Sequence, residues 1–308
     1  MVRDWASTFV SWSKPPSETE GTRCSNAERM IRDAIKGDTK LSSKNIRVFT
    51  QGSYRHNTNV RLDSDVDIGV CLLDTFFTVY PDANLRETET LKAKLNFSDS
   101  SYTFKAFKND VETALVNKFG RSGVTRGNKA IDVHANTYRV DADVVACFEH
   151  RRYTGAFDIY GEPVYLSGTQ FLTDTGESII NWPEQNAKNG IQKNNATNYR
   201  YKFCVRIVKR LRNEMQGNNI AAAQNIPSFL IESLLWNAPN SVFNIYGSYV
   251  DILRAILAYL YNETMNNDSC KEWGEVNELK FLFNWLQPWT RQQAHNFIGA
   301  AWDYVGLE

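Results

Sequence analysis

The chain has 308 residues, enough for one large domain or two fused lobes, and for a core without disulfide or metal support. Its 35 basic and 35 acidic residues balance, which argues against a constitutive nucleic-acid-binding protein. The five cysteines are far apart and form no CxxC pair, so neither a disulfide framework nor a cysteine zinc site is expected. The sequence shows no signal peptide and no membrane-spanning apolar run, which predicts a cytoplasmic location and no membrane partner.

The first half of the chain alternates strand-type and helix-type patterns. In chain order these predict a helix over 24–35, strands over 46–50 and 66–73, a helix over 104–119, and strands over 130–134 and 140–148. The stretch 153–178 is rich in Gly and Thr and is predicted to be a loop. These patterns indicate a mixed α/β lobe.

The C-terminal part is predicted to be helical, because its apolar residues recur at helical spacing. Helices are predicted over 199–215, from Pro227, over 242–261, and from Thr290, where Thr290 and Gln293 form a capping box. The first of these helices carries a basic cluster, most of which is predicted to lie on a solvated face: Arg200, Arg206, Lys209, Arg210 and Arg212. A cleft between an α/β lobe and a helical lobe is a favoured place for a small-ligand site.

The stretch QGSYRHNTNVRLDSDVDIG, residues 51–69, carries the strongest chemical signal. Asp65 and Asp67 stand two residues apart at the start of a strand, so that both carboxylates face one spot. Two like charges held together need a cation, and carboxylate oxygens suit Mg²⁺. Upstream, Gly52 and Ser53 end a strand, where small residues let backbone N–H groups and a hydroxyl approach a phosphate. The stretch therefore predicts a site for a nucleoside triphosphate and a metal ion.

A third carboxylate would complete a two-metal centre, which activates an attacking hydroxyl and stabilises a leaving pyrophosphate. The predicted strand RVDADVVACF offers Asp141 and Asp143, which lie on the same face, so that periodicity does not choose between them. An isolated DxD motif is often only a solvated strand end. Here the GS turn, the apolar strand after the motif and the further acidic strand together favour a catalytic site.

These residues resemble a known family. GS, an eleven-residue gap and DVDI resemble the signature of the DNA polymerase β-like nucleotidyltransferases. QGSYRHNTNVRLDSDVDIGV followed by ADVVAC is similar to the bacterial cyclic-oligonucleotide synthases (CD-NTases), relatives of cyclic GMP-AMP synthase. The segments SIINWPEQNAKNG, TNYRYKFCVRIVKRLRN and IPSFLIESLLWNAP are similar to clade E of that group, the CdnE enzymes.

The resemblance implies an α+β fold in two parts. A DNA polymerase β-like nucleotidyltransferase lobe with a mixed sheet would span residues 1–160, and a C-terminal helical lobe would span residues 161–308. The active site would lie in the cleft between them. The resemblance also implies an enzyme, a template-independent nucleotidyltransferase that makes a cyclic dinucleotide from two nucleoside triphosphates and releases pyrophosphate.

The resemblance further implies which carboxylates bind metal. It places the third one at Asp143 and leaves Asp141 as an exposed neighbour. Asp65, Asp67 and Asp143 would then be the catalytic and metal-binding residues, with two Mg²⁺ ions for which Mn²⁺ can substitute. Asp143 is the candidate for the general base that draws the proton from the acceptor ribose hydroxyl.

The donor triphosphate is expected to contact both predicted lobes. The resemblance places Gln51 and Ser53, with the neighbouring Gly52, at the phosphates. It places Lys202 and Ser228 of the helical lobe at the same phosphates. Ser228 follows a proline in a predicted first helical turn, where backbone donors can also bind phosphate.

Asn181, in SIINWP, bears on which base is used. It is either a turn residue or a residue whose carboxamide reads a base edge in the acceptor pocket. The resemblance places NWP at that pocket and favours a pyrimidine, so that UTP and ATP are the expected substrates and cyclic UMP-AMP or cyclic di-UMP the expected product. An all-purine product (cyclic di-AMP, cyclic di-GMP or cyclic GMP-AMP) remains open, as does a nucleotidyltransferase with another acceptor or a non-catalytic nucleotide sensor.

The resemblance also implies a biological setting. The product would serve as a second messenger in CBASS anti-phage defence and would activate a separate effector protein. Stable nucleic-acid binding is not expected, because the net charge is zero.

Overall fold

The structure is a computed structural model that describes residues 3–60, 65–81, 89, 95 and 97–307. Helices in these ranges are α1 (Trp5–Ser13), α2 (Glu18–Gly37), α3 (Gly52–His56), α4 (Phe104–Phe119), α5 (Pro183–Ala196), α6 (Arg200–Gly217), α7 (Ser228–Asn237), α8 (Asn240–Phe243), α9 (Tyr249–Thr264), α10 (Asn267–Cys270) and α11 (Arg291–Val305). Strands are β1 (Ile46–Thr50), β2 (Val66–Val79), β3 (Val124–Arg126), β4 (Ile131–Val133), β5 (Ala142–Phe157), β6 (Pro163–Leu172) and β7 (Ser178–Asn181).

The strands form one mixed sheet. Its main order is β1-β2-β5-β4-β3, and β6 pairs with the later part of β5 and with β7. β2 and β5 run parallel, whereas β1 is antiparallel to β2 and β4 is antiparallel to β5. Apolar side chains of β2 and β5 pack with those of α2 and α4 in one buried core that includes Ile31, Val70, Phe107 and Val144. This core fixes the strands that carry the acidic residues.

The chain divides into two compact units. The sheet unit comprises Glu18–Tyr54 and Ser64–Glu184, and the helical unit comprises Met1–Ser17, Arg55–Asp63 and Gln185–Glu308. The division predicted from the sequence lies between residues 160 and 161. The structure has it after Glu184, because β6 and β7 extend the sheet, and α1 belongs to the helical unit because it packs on α6.

Most predicted elements are present, and the mixed α+β fold is confirmed. The strand 46–50 and the helix 104–119 have the predicted bounds, and the capping box of Thr290 and Gln293 is formed. The predicted loop over 153–178 is wrong, because β5 continues to Phe157 and pairs with β6 as a long hairpin. The single helix predicted over 242–261 is also wrong, because α8 ends at Phe243 and Ser248 caps a new helix.

The basic residues of α6 do not all lie on a solvated face, contrary to the prediction. Arg206, Lys209 and Arg212 are only 1%, 2% and 8% exposed. Arg206 donates to the backbone carbonyls of Ser13 and Asn57 at 2.6 and 2.5 Å. Buried loop carbonyls need donors, and these long side chains supply them. Sequence periodicity does not reveal such partners, since they come from distant loops.

Lys193 is a buried cation in the core of the helical unit. Its ammonium donates to the carbonyl of Ala238, the residue that caps the C-terminus of α7, at 2.7 Å, and to Asn240 Oδ1 at 3.2 Å. Burial lowers the pKa of Lys193 from 10.5 to about 8. Protonation of Lys193 therefore lowers the free energy of unfolding.

This burial predicts a pH dependence of stability. Between the folded and unfolded pKa values the unfolded chain binds more protons, so the free energy of unfolding rises with pH, by about 2 kcal/mol from about pH 7 to about pH 9.5. Urea unfolding across this range measures the slope. Lys193→Met is expected to reduce the slope, because it removes the titrating group. An unchanged slope in this variant would contradict the assignment.

No helix in the described ranges combines the length and the apolar character needed to cross a bilayer.

Candidate active site

Asp67 and Asp143 lie side by side on neighbouring parallel strands. The register of β2 and β5 pairs Asp67 with Asp143 directly. Their neighbours Ile68 and Val144 are fully buried, whereas both acids are only partly buried. Because alternate residues of a strand point to opposite faces, the two acids share one face of the sheet and the apolar residues take the other. Asp65 is exposed and immediately precedes β2 on the same side by parity.

A fourth acid, Asp132, was missed by the sequence analysis. It is the central residue of β4 and pairs with Asp143 across the antiparallel ladder. Its side chain interacts with that of Asp143 and contributes to the raised pKa of Asp143. The sequence predicts both strands of this pair, over 130–134 and 140–148, but not their register. The signal that identifies Asp132 is therefore the register, which periodicity does not provide.

Asp143 sits in a strongly negative environment. Burial, followed by the charges of Asp67 and Asp132, the hydrogen bond with Asp132 and the charge of Asp65, raises the pKa of Asp143 to about 7. Like charges that are held together destabilise the ionised form. A divalent cation would relieve this repulsion, and carboxylate oxygens are its preferred ligands.

Gly52 lets the carboxylate of Asp67 lie against the backbone that follows β1. Gly52 has a φ of +62°, and a Cβ at this position would lie 1.9 Å from Asp67 Oδ2. The backbone N–H of the preceding Gln51 donates to the carbonyl of Asp67 at 2.9 Å. The conformation and the close approach both require glycine here. Any side chain at position 52 would therefore collide with the carboxylate of Asp67.

The donor chemistry of these acids fits a divalent metal, but their side chains are not gathered into a closed site. Across the described ranges, no group of three or more His, Cys, Asp and Glu side chains could hold a metal ion. Asp67 lies against Gly52, after β1, and Asp143 lies between Asp67 on β2 and Asp132 on β4.

Asp141, the alternative third carboxylate, has a structural partner. It is exposed and precedes β5, and its side chain accepts a hydrogen bond from the backbone N–H of Ala135 at 2.6 Å. Its carbonyl accepts from Val66 N at 3.0 Å. These bonds hold the loop before β5 and the start of β2. Because the Asp141 side chain is engaged in this loop, the structure favours Asp143 as the third acid of the site.

The residues predicted to bind phosphate are distributed over both units. Gln51, Gly52 and Ser53 are partly buried and belong to the sheet unit. Lys202 and Ser228 belong to the helical unit and are also partly buried. Burial lowers the pKa of Lys202, and the charge of a nearby glutamate partly offsets this. Ser228 opens α7, and its hydroxyl oxygen accepts a hydrogen bond from Arg212 at 2.9 Å.

Asn181 is a strand residue, which excludes the interpretation that it only forms a turn. It ends β7, pairs with Thr169 on β6 and is partly buried. Its predicted role in reading a base remains a prediction.

A mixed sheet with a Gly-Ser turn and two aspartates aligned on parallel strands defines a nucleotidyltransferase of the DNA polymerase β-like class. A family model for the cGAS/DncV-like nucleotidyltransferase C-terminal helical domain matches residues 188–306. The chain is 47% identical over 308 residues to the cyclic dipyrimidine nucleotide synthase CdnE of Legionella pneumophila, with 99% of each chain covered. It is 44% identical over 305 residues to the protein of the same name from Cecembia lonarensis, again with 99% of each covered.

The fold agrees with these sequences. The structure of the Elizabethkingia meningoseptica CdnE cyclic dinucleotide synthase with GTP and Apcpp matches with a TM-score of 0.80 and 34% identity, covering 99% of this chain and 100% of that one. The chain belongs to the CD-NTase family, among its CdnE cyclic dinucleotide synthases. The predicted family, fold and enzyme class are confirmed.

Proposed function

We propose that the protein condenses two nucleoside triphosphates into a cyclic dinucleotide that contains at least one pyrimidine. The proposed catalysis rests on the direct pairing of Asp67 with Asp143 on parallel strands. The neighbouring carboxylates make this position strongly negative, which favours the binding of a divalent cation. The pyrimidine is supported by the two relatives above, which share 47% and 44% of their residues with this chain and are dipyrimidine nucleotide synthases.

In the proposed reaction, Asp65, Asp67 and Asp143 hold two Mg²⁺ ions, which Mn²⁺ can replace. Bound divalent ions supply charge stabilisation at the α-phosphate and the leaving pyrophosphate, and they acidify the attacking hydroxyl. Asp143 would accept the proton of the acceptor ribose hydroxyl as a metal-linked general base. The linear dinucleotide then reorients in the pocket, and a second nucleotidyl transfer closes the ring.

The chain's own donors are proposed to orient the triphosphate. The hydroxyl of Ser53 and the amide of Gln51 bind it beside the acids, and Gly52 allows the backbone to approach. Lys202 and the hydroxyl of Ser228 contribute from the helical unit. A charged hydrogen bond of the kind that Lys202 forms is worth about 1.5–3 kcal/mol.

The proposed biological role is second-messenger synthesis in CBASS defence, with the product read by a separate effector protein. Stable nucleic-acid binding is not part of the proposal. The balance of 35 basic and 35 acidic residues supports this, because backbone-directed nucleic-acid binding relies on excess positive charge.

A purine-only product is the second candidate, because the Elizabethkingia structure that matches this chain holds GTP and an ATP analogue. Mass spectrometry of products formed from all four triphosphates with Mg²⁺ or Mn²⁺ separates the two. We expect a cyclic product that contains uridine or cytidine. Synthesis from ATP and GTP alone, with UTP and CTP left unused, would refute the pyrimidine assignment.

Asn181 is proposed to read the base through its carboxamide, which offers one acceptor and one donor group. Asn181→Ser is therefore expected to reduce UTP incorporation by about tenfold or more relative to ATP, because an unpaired base edge is strongly disfavoured in a polar pocket. Competition between labelled UTP and ATP measures the ratio. Gln170→Ser, a change on the adjacent strand β6, is the control and should leave the ratio unaltered. An equal fall for both bases would show that Asn181 has no part in base selection.

A further inference from the structure

A buried charged network lies in the helical unit and contains none of the residues proposed to bind metal or triphosphate. Glu232 on α7 is 2% exposed, and both of its carboxylate oxygens are occupied. His56 Nδ1 lies 2.9 Å from Oε1, and Thr58 Oγ1 donates to Oε2 at 2.9 Å. Lys209 Nζ donates to Oε2 at 3.3 Å and to the carbonyl of Thr58 at 3.2 Å. We call these four residues the Glu232 network.

We infer that the Glu232 network is a positioning device for the triphosphate-binding residues. Two of its helices each carry one proposed phosphate ligand at a spacing that puts ligand and network residue on the same helical face. The pairs are Lys202 and Lys209 on α6, and Ser228 and Glu232 on α7. The inference rests on the proposed function, which assigns Lys202 and Ser228 to the triphosphate.

The electrostatics of the helical unit support this link. Burial lowers the pKa of Lys202, and the largest opposing effect is the charge of Glu232. Burial raises the pKa of Glu232, but its electrostatic interactions with His56 and Lys209 and its hydrogen bonds with His56 and Thr58 hold it well below its usual range. Glu232 is therefore ionised, and its charge acts on the proposed phosphate ligand as well as on its buried partners.

Stability alone does not explain such a network. Desolvation offsets most of the attraction within a buried ion pair, so that apolar residues of similar size often serve equally well. The network instead fixes geometry, because each member has a defined partner. Tyr201 adds a further restraint, since its hydroxyl donates to the Glu232 carbonyl at 3.1 Å.

The inference predicts a selective defect. Glu232→Gln keeps the size of the side chain but removes the charge that draws the helices together. Affinity for a non-hydrolysable triphosphate analogue is expected to fall about tenfold, which corresponds to ~1.4 kcal/mol. Affinity for the unphosphorylated nucleoside is expected to stay within about twofold, because no network helix is assigned to the base. Isothermal titration of the full chain with both ligands measures the two affinities.

Matched variants separate this role from simple destabilisation. Thr264→Val removes a buried hydroxyl that donates to the Leu260 carbonyl in the same core, and it should lower the melting temperature without changing either affinity. His56→Ala should reproduce the triphosphate defect, and His56→Gln, which restores a donor to Glu232, should recover it in part. The His56 variants also provide the test if Glu232→Gln does not fold, since they keep the pair of Glu232 and Lys209.

Lys202→Ala and Ser228→Ala serve as references. If they lose triphosphate affinity while Glu232→Gln and His56→Ala keep it, the positioning role is refuted and the proposed function stands. If the two reference variants also keep full affinity, the assignment of the phosphate ligands fails, and the inference fails with it. A parallel loss of nucleoside and triphosphate affinity in Glu232→Gln would show that the network only stabilises the fold.

Discussion

Asp143→Asn is expected to abolish cyclic dinucleotide synthesis while the protein remains folded. The amide keeps the shape of the side chain, but it can neither bind a divalent cation strongly nor accept the proton of the attacking hydroxyl. The rate should fall by about a thousandfold or more, which corresponds to ~4 kcal/mol of lost transition-state stabilisation. Removal of the repulsion that raises the pKa of Asp143 should at the same time leave the melting temperature unchanged or higher.

Asp141→Asn is the matched control for this experiment. The amide oxygen of Asn can still accept the hydrogen bond from the backbone N–H of Ala135, so the loop before β5 should be preserved. Pyrophosphate release should stay within about threefold of the wild type, since surface changes away from a site have small effects. A severe defect in Asp141→Asn together with a mild one in Asp143→Asn would reverse the assignment of the third carboxylate.

The local parts of the site could be predicted from the sequence because they are encoded by short spacing. The parity of Asp65 and Asp67 fixes their common face. The strand before Gly52 and Ser53 has the predicted bounds, but these two residues open the helix α3 instead of ending the strand. The choice of Asp143 needed a family resemblance, because Asp141 has the same parity. The structure adds a physical reason for that choice, namely the partners of each side chain.

Other parts could not be predicted, because they depend on the pairing and register of strands and on contacts between segments. The sequence predicts β4 and the first part of β5, but not the register that places Asp132 opposite Asp143. The composition of 153–178 predicts a loop, although β5 and β6 form a hairpin there, because the tip of this hairpin is rich in Gly and Thr and its outer residues are exposed. The charge run on α6 predicts a solvated face for Lys209, since its buried partners come from α7 and from the segment after α3.

Gly52 illustrates how one residue combines a local and a long-range requirement. Its position after β1 suggested a close approach of phosphate to the backbone. The structure shows that its missing side chain also makes room for Asp67, which follows it by fifteen positions in the sequence. The start of α3 and the strand β2 are therefore in direct contact, so that a change at Gly52 is expected to act on Asp67.

Gly52→Ala is expected to reduce synthesis by about a hundredfold or more, because displacements of about 1 Å in an active site have effects of this size. The new methyl group would lie 1.9 Å from Asp67 Oδ2, so that either the carboxylate or the turn must move. The apparent affinity for Mn²⁺, measured by titration of activity, should weaken together with the rate. Gly120→Ala is the control, because Gly120 also has a positive φ, +79°, but nothing lies within 4 Å of its Cβ position. Both variants should lose stability through backbone strain, and only Gly52→Ala should lose activity. Equal activity in the two variants would mean that the contact between Gly52 and Asp67 does not set the geometry of the metal ligands.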